Sequence, residues 1–292
     1  MFDLPTFIYV DSLIRGLLQG AVYGMMAIGL SIVFGVMKVV NFAHGEMLIL
    51  GGYLAFMLYS WFALDPIIAI ALIGPLMFAF GAVLQRTLVD KFIDRPQHQQ
   101  FLLMIGMALV LVNGLDMIFG PDARGAHEVP YAFDSYEVGG IFIDAVRLYK
   151  AAAALVMVGF LFWFFKATRT GKAIRAAADN YRGALVVGLN VSRLYAITFG
   201  IGAACAGAAG CLLVLDDITP HAGPGFTLLA FTIVIIGGLG SMPGALLGGV
   251  LIGVSEAMAG VMFQPSLKSI FSYGLLILVL LFRPAGLMGK RA

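Results

Sequence analysis

Long stretches of this chain pass without a charged side chain. Twenty-two positions separate Arg15 from Lys38, and thirty-eight separate Asp217 from Glu256. A membrane-spanning helix needs about 20 mostly apolar residues. The uncharged windows predict eight to nine spans, over 12–37, 45–63, 67–88, 100–119, 148–166, 194–215, 225–240, 243–263 and 267–282. A transmembrane barrel would show segments of about ten residues with alternating polarity. These runs are continuous and rich in Leu, Ala and Gly. The expected fold class is therefore all-α, a polytopic helical bundle forming one transmembrane domain over 1–292. The Gly-rich stretch around Ser241, Pro243 and Gly244 predicts either tight helix packing or a broken helix lining a pathway. Within 216–263 a full hairpin and a re-entrant pair both remain open.

Composition narrows the class. Of 292 residues, 61% are hydrophobic and 12% charged, with a mean hydropathy of +0.99. Soluble domains carry about 25% charged residues, so a soluble enzyme and a disordered chain are both excluded. A net charge of +2 gives no reason to expect nucleic acid as a partner. The first fourteen residues hold Asp3 and Asp11 and no Lys or Arg, which argues against a cleavable signal.

Charge between the spans predicts orientation. Segment 166–193 carries Lys166, Arg169, Lys172, Arg175, Arg182 and Arg193 against Asp179 alone. Segment 120–147 carries Arg124 and Arg147 against Asp122, Glu128, Asp134, Glu137 and Asp144. Short loops rich in Lys and Arg stay in the cytoplasm. The first segment is expected inside and the second is expected as an external loop. Loop 86–98 and the tail with Arg283, Lys290 and Arg291 then fall inside. Nine crossings place the N-terminus outside and the C-terminus in the cytoplasm.

Few polar groups interrupt the spans. Asn41, Phe42, His44 and Glu46 join the first two, and Glu46 falls at the expected start of the second, where a helix N-terminus favours a carboxylate. A surface cap and a place in the gate are both open for this group. Glu256 lies inside the eighth span and must be paired, protonated or facing water. Asn113 and Asp116 fall near the outer end of the fourth. Asn41, Phe42, His44, Glu46, Asn113, Gly240 and Glu256 are the pathway or gate candidates. Asp216, Asp217 and His221 occupy a Gly/Pro-rich stretch that reads as a solvated outer turn or as a docking surface. Cys205 and Cys211 are six positions apart on one expected helix, beyond disulfide reach, and read as small packing residues. Glycines at 16, 20 and 24, and the GxxxG pairs between Gly240 and Gly253, predict close helix contacts. The chain has no GxxxxGK[ST] phosphate loop, no HExxH and no recognisable nucleophile motif. Its four histidines are scattered, so no metal site is expected.

Segment 166–193 is the most informative. Residues 173–178 are good helix formers, and Asp179 is placed to cap a second turn. Leu185, Val186, Val187 and Leu189 then put an apolar patch on a basic loop. A solvated loop has no need of that patch, whereas a short helix docking into another protein does. Arg169, Gly171, Arg175, Ala184, Leu185, Val187 and Gly188 are the candidates for that coupling surface.

Four stretches resemble a known family. They are Gly29-Leu-Ser-Ile-Val-Phe-Gly-Val-Met-Lys-Val-Val-Asn-Phe-Ala-His-Gly-Glu46, Arg169-Thr-Gly-Lys-Ala-Ile-Arg175, Ile236-Gly-Gly-Leu-Gly-Ser-Met-Pro-Gly-Ala-Leu-Leu-Gly-Gly249 and the ending Leu275–Leu287. Over nearly the whole chain the sequence resembles the LivH-type permease subunits of bacterial branched-chain amino acid ABC importers. The resemblance implies a multi-pass protein of the bacterial inner (plasma) membrane, paired with a sister or identical permease chain. It also implies two cytoplasmic ABC ATPases that hold ATP and Mg, and a periplasmic substrate-binding protein. This chain itself would carry no cofactor and no catalytic residue. ABC permeases often carry Glu-Ala-Ala-x-x-x-Gly in the coupling loop. Here Arg182-Gly-Ala184 followed by Gly188 has that spacing, with Arg and Gly replacing Glu and the first Ala. Relatives for urea, amides or aromatic acids, and more distantly a secondary transporter, stay open as alternatives.

Overall fold

The computed structural model describes residues 6–93, 95–263 and 268–289. Asp3, Leu267, Lys290 and Arg291, which entered the expectations above, lie outside the described residues. In chain order the helices are α1 (Thr6–Met37), α2 (His44–Phe62), α3 (Pro66–Thr87), α4 (Gln97–Phe119), α5 (Ala145–Ala167), α6 (Arg169–Asp179), α7 (Tyr181–Val186), α8 (Val191–Leu213), α9 (Gly223–Gly237), α10 (Met242–Met262) and α11 (Lys268–Phe282). Among the described residues, eight helical stretches are long and apolar enough to cross a membrane. α11 is apolar but has 15 residues. Capping side chains set several starts: Asp65 accepts from the Ile67 N–H, Asn190 from Arg193 and Ser241 from Gly244.

The all-α class holds, with one small antiparallel hairpin between the helices, β1 (Ser135–Val138) and β2 (Ile141–Asp144), joined by Gly139-Gly140. Three expectations need correction. α5 starts at Ala145, capped by Asp144, and the loop before it ends there. Ser241, Pro243 and Gly244 do not break a span. They form the turn and first residues of α10, with Ser241 as its cap. In the basic segment, Asp179 ends α6, and the cap of α7 is Asn180, whose extended backbone lets its side chain accept from the Gly183 N–H.

α1 and α8 form the centre. Of their apolar stretches, 78% and 89% are buried, against 22% for α4. They meet where Gly29 faces Cys205 and Gly202. The glycines at 16, 20 and 24 pack directly on α10 at Val254, Val250 and Leu246, so the ladder is a close helix contact.

The arrangement repeats. α1 packs along α10, and α8 packs along α3. α2 leans on α8, as α9 leans on α1. The packing of α8–α11 thus mirrors that of α1–α4 in pattern, with α1 and α8 running in opposite directions, as in the inverted repeats of many transport proteins. α5 to α7 are inserted between the two. One end of the bundle carries the β-hairpin, where the Ala126 N–H donates to Val214 O and β2 packs on α1. The other carries α6 and α7, where α6 packs on α1 and α5. We call these the hairpin end and the basic end.

Candidate functional site

The pathway candidates from the first two spans meet the second repeat in the middle of the bundle. α2 does not start at the basic end, where α1 stops. Residues 38–43 turn back into the bundle, and the His44 Nε2 lies 3.0 Å from Met26 O. Met26 is eleven residues short of Met37, about 16 Å along α1. In a hydrocarbon core about 30 Å thick, that level is near the midplane. A carbonyl only accepts, so His44 Nε2 donates to it, while Nδ1 is buried without a hydrogen-bond partner among the described residues.

α9 starts at the same level from the opposite side. The stretch 216–225 is solvated only in part. Asp216, Asp217 and His221 stay exposed, but Ile218, Pro220 and Gly223 are buried. The chain dips inward until Gly223 packs against the Glu46 side chain. A Cβ on Gly45 would collide with Gly223 O, so only glycine lets the two helix starts touch.

At this junction α9 caps the start of α2. Thr227 Oγ1 accepts the Gly45 N–H at 2.8 Å. Its single proton then goes to Glu46 Oε2 at 3.3 Å or to Phe42 O at 3.4 Å. Glu46 in turn sits over the first turn of α9 while occupying the first turn of α2. Among the described residues no cation pairs with Glu46. The N-terminal ends of two half-helices supply positive potential instead. Asn41 closes the turn by accepting the Ala43 N–H at 3.0 Å. Phe42 seals the junction against Phe101 and Phe231, with ring centroids 4.6 and 5.2 Å away. Asn41, His44 and Glu46 are all buried.

The remaining candidates lie elsewhere. Glu256 ties three helices together: Tyr23 of α1 donates to it at 3.1 Å and Ser272 of α11 at 2.8 Å. Asn113 is exposed on α4 and donates back to Leu109 O. Gly240 lies in the turn before α10, against Gly35. Sequence reasoning missed Thr227, Gly223, Tyr23 and Ser272. Pro224, one residue into α9, is the signal that could have marked that helix start.

The coupling candidates lie together at the basic end. Gly171, Ile174 and Ala177 bury one face of α6, with Gly171 against Phe164 and Phe165 of α5. Arg169 and Arg175 are exposed. α7 ends in a Schellman turn, in which the Leu189 N–H reaches Ala184 O and the Gly188 N–H reaches Leu185 O, both at 3.0 Å. Gly188 takes φ +78°, which glycine adopts freely. Ala184 is buried under this turn, while Leu185, Val186 and Val187 are 48%, 87% and 73% exposed.

Comparison with known proteins agrees with this architecture. Residues 12–280 match the family described as branched-chain amino acid transport system, permease component. The chain is 33% identical to the high-affinity branched-chain amino acid transport system permease protein BraD of Pseudomonas aeruginosa, over 97% of this chain and 96% of that one. It is 31% identical to the corresponding LivH protein of Escherichia coli, with the same coverage. The ribose import permease protein RbsC of Escherichia coli is more distant, at 25% identity over 85% of this chain and 78% of that one. No solved structure matches. The chain is thus a multi-pass membrane transport subunit, and it belongs to the family of branched-chain amino acid transport permease components.

Proposed function

We propose that this chain forms half of the translocation pathway of an ATP-driven importer for branched-chain or related amino acids. Its partners are a sister or identical permease chain, two ABC ATPases that hold ATP and Mg, and a periplasmic substrate-binding protein. The basic end faces the cytoplasm, in keeping with its excess of Lys and Arg, and the hairpin end faces the periplasm. The names of the relatives support the substrate class.

One observation carries the ATPase assignment. Leu185, Val186 and Val187 stand exposed on α7, at the basic end and beyond the apolar spans. A water-facing apolar patch on a short, capped helix suits docking into another protein. α7 follows α6 directly, and α6 packs on α5 and α1. Motion of a docked ATPase would therefore reach the end of α1. The turn after α1 leads to the α2–α9 junction, which joins the two repeats. The cycle needs two global states of different affinity for the nucleotide-bound ATPases.

The test is affinity recovery of the full chain from its native membrane, intact and as Leu185→Glu/Val187→Glu. We expect an ABC ATPase to co-purify with the intact chain and to be lost from the double variant at unchanged expression. Equal recovery with both would refute the docking surface. A folded intact chain that recovers no ATPase would favour a secondary carrier.

A further inference from the structure

A cleft of about 1230 Å³ opens at the basic end between α1, α5, α6, the α9–α10 turn and the C-terminal segment. Its two halves differ in chemistry. Ile32 and Phe165 are buried, and with Val36 and Phe162 they give the cleft an apolar floor. Lys38, Lys166 and Arg175 are exposed and line the rim, with Asp179 as the one carboxylate among the lining residues.

The three cations come from three different elements. Lys38 follows the last residue of α1, Lys166 lies in the last turn of α5, and Arg175 is on α6. Among the described residues none of the three has a carboxylate partner. Lys38 is also held at φ +57°, a conformation that a residue with a Cβ rarely adopts. Ser241 and Met242 add the N-terminal end of α10, a 21-residue helix, to the same wall. Positive potential thus lines one rim, which favours an anion there.

A rim at the ends of apolar spans suits the headgroup region. Lys38 and Lys166 terminate two apolar spans, and basic side chains at span ends reach into the headgroup region. Basic pockets between such helices hold the phosphates of anionic lipids. A free phosphate would satisfy the rim and leave the apolar floor empty. We propose that this cleft is a binding site for an anionic phospholipid, with its phosphate on Lys38, Lys166 and Arg175 and an acyl chain along Ile32, Phe162 and Phe165. The site shares Arg175 with the coupling candidates but none of the exposed α7 patch, and it does not depend on what the protein transports.

The test is native mass spectrometry of the protein purified with its partners, delipidated and then titrated with phosphatidylglycerol or phosphatidylcholine. Phosphatidylglycerol is expected to bind about tenfold tighter. Lys38→Gln/Lys166→Gln should remove about tenfold of that affinity, and Lys166→Arg should keep it. Arg175→Gln is the second variant if the double one is poorly recovered, with a loss of a few-fold expected. Equal binding of both lipids, or variants that bind like the parent, would overturn the site. Displacement of phosphatidylglycerol by millimolar inorganic phosphate would show a soluble-anion site and overturn the lipid assignment.

Discussion

Thr227→Val tests the mid-bundle junction with little change of shape. The replacement removes the hydroxyl that accepts the Gly45 N–H at 2.8 Å and donates to Glu46 or Phe42. Side-chain hydrogen bonds between membrane helices average only about 0.6 kcal/mol, with a maximum of about 1.7. Leaving a buried N–H without a partner costs about 1–3 kcal/mol. Gly45 and Thr227 are both buried, and Gly223 O presses on Gly45. Water therefore has no room to replace the lost acceptor, and the larger figure applies. We expect a loss of about 2 kcal/mol. By the scaling for large domains this lowers the unfolding midpoint by about 4–8 °C. Thr227→Ser keeps the hydroxyl and gives up one methyl, at about 1 kcal/mol. The assay is thermal unfolding of the full chain in detergent, followed by intrinsic fluorescence, with the three proteins side by side. A valine variant at least as stable as the serine variant would refute the Thr227 cap.

Three further outcomes are expected. Gly188→Ala should cost about 1–2 kcal/mol through its positive φ although its surroundings are open, and hydrogen exchange should show the loss at α7 before the spans. Lys150 is buried and pairs with the exposed Asp216 at 2.5 Å, so Asp216→Asn, which strands the ammonium, should lower the unfolding midpoint more than Lys150→Met, which removes it; the reverse order would show that the pair does not matter. With the proposed orientation, a cysteine replacing Phe133 should react with a membrane-impermeant thiol reagent in intact cells, and one replacing Val186 only after the membrane is opened.

The sequence by itself determined the helical class and the approximate placement of the spans. In lipid every backbone polar group must be satisfied within its own segment, so an uncharged window of sufficient length has one structural outcome. The apolar patch at Leu185–Val187 stood out because its surroundings are basic. Hydropathy carries no information about depth. A window reads alike whether its helix spans from face to face or starts halfway, so it did not show that α2 and α9 both begin at the midplane. The partners there are remote: Gly45 and Thr227 are 182 positions apart, and no local pattern links them. The inverted repeat stayed hidden because helix packing in lipid demands small residues and little else, so two copies can share a shape without sharing a motif. Only the tertiary structure brought the two helix starts face to face. That contact turned Glu46 from a choice between surface cap and gate into a carboxylate held by two helix ends.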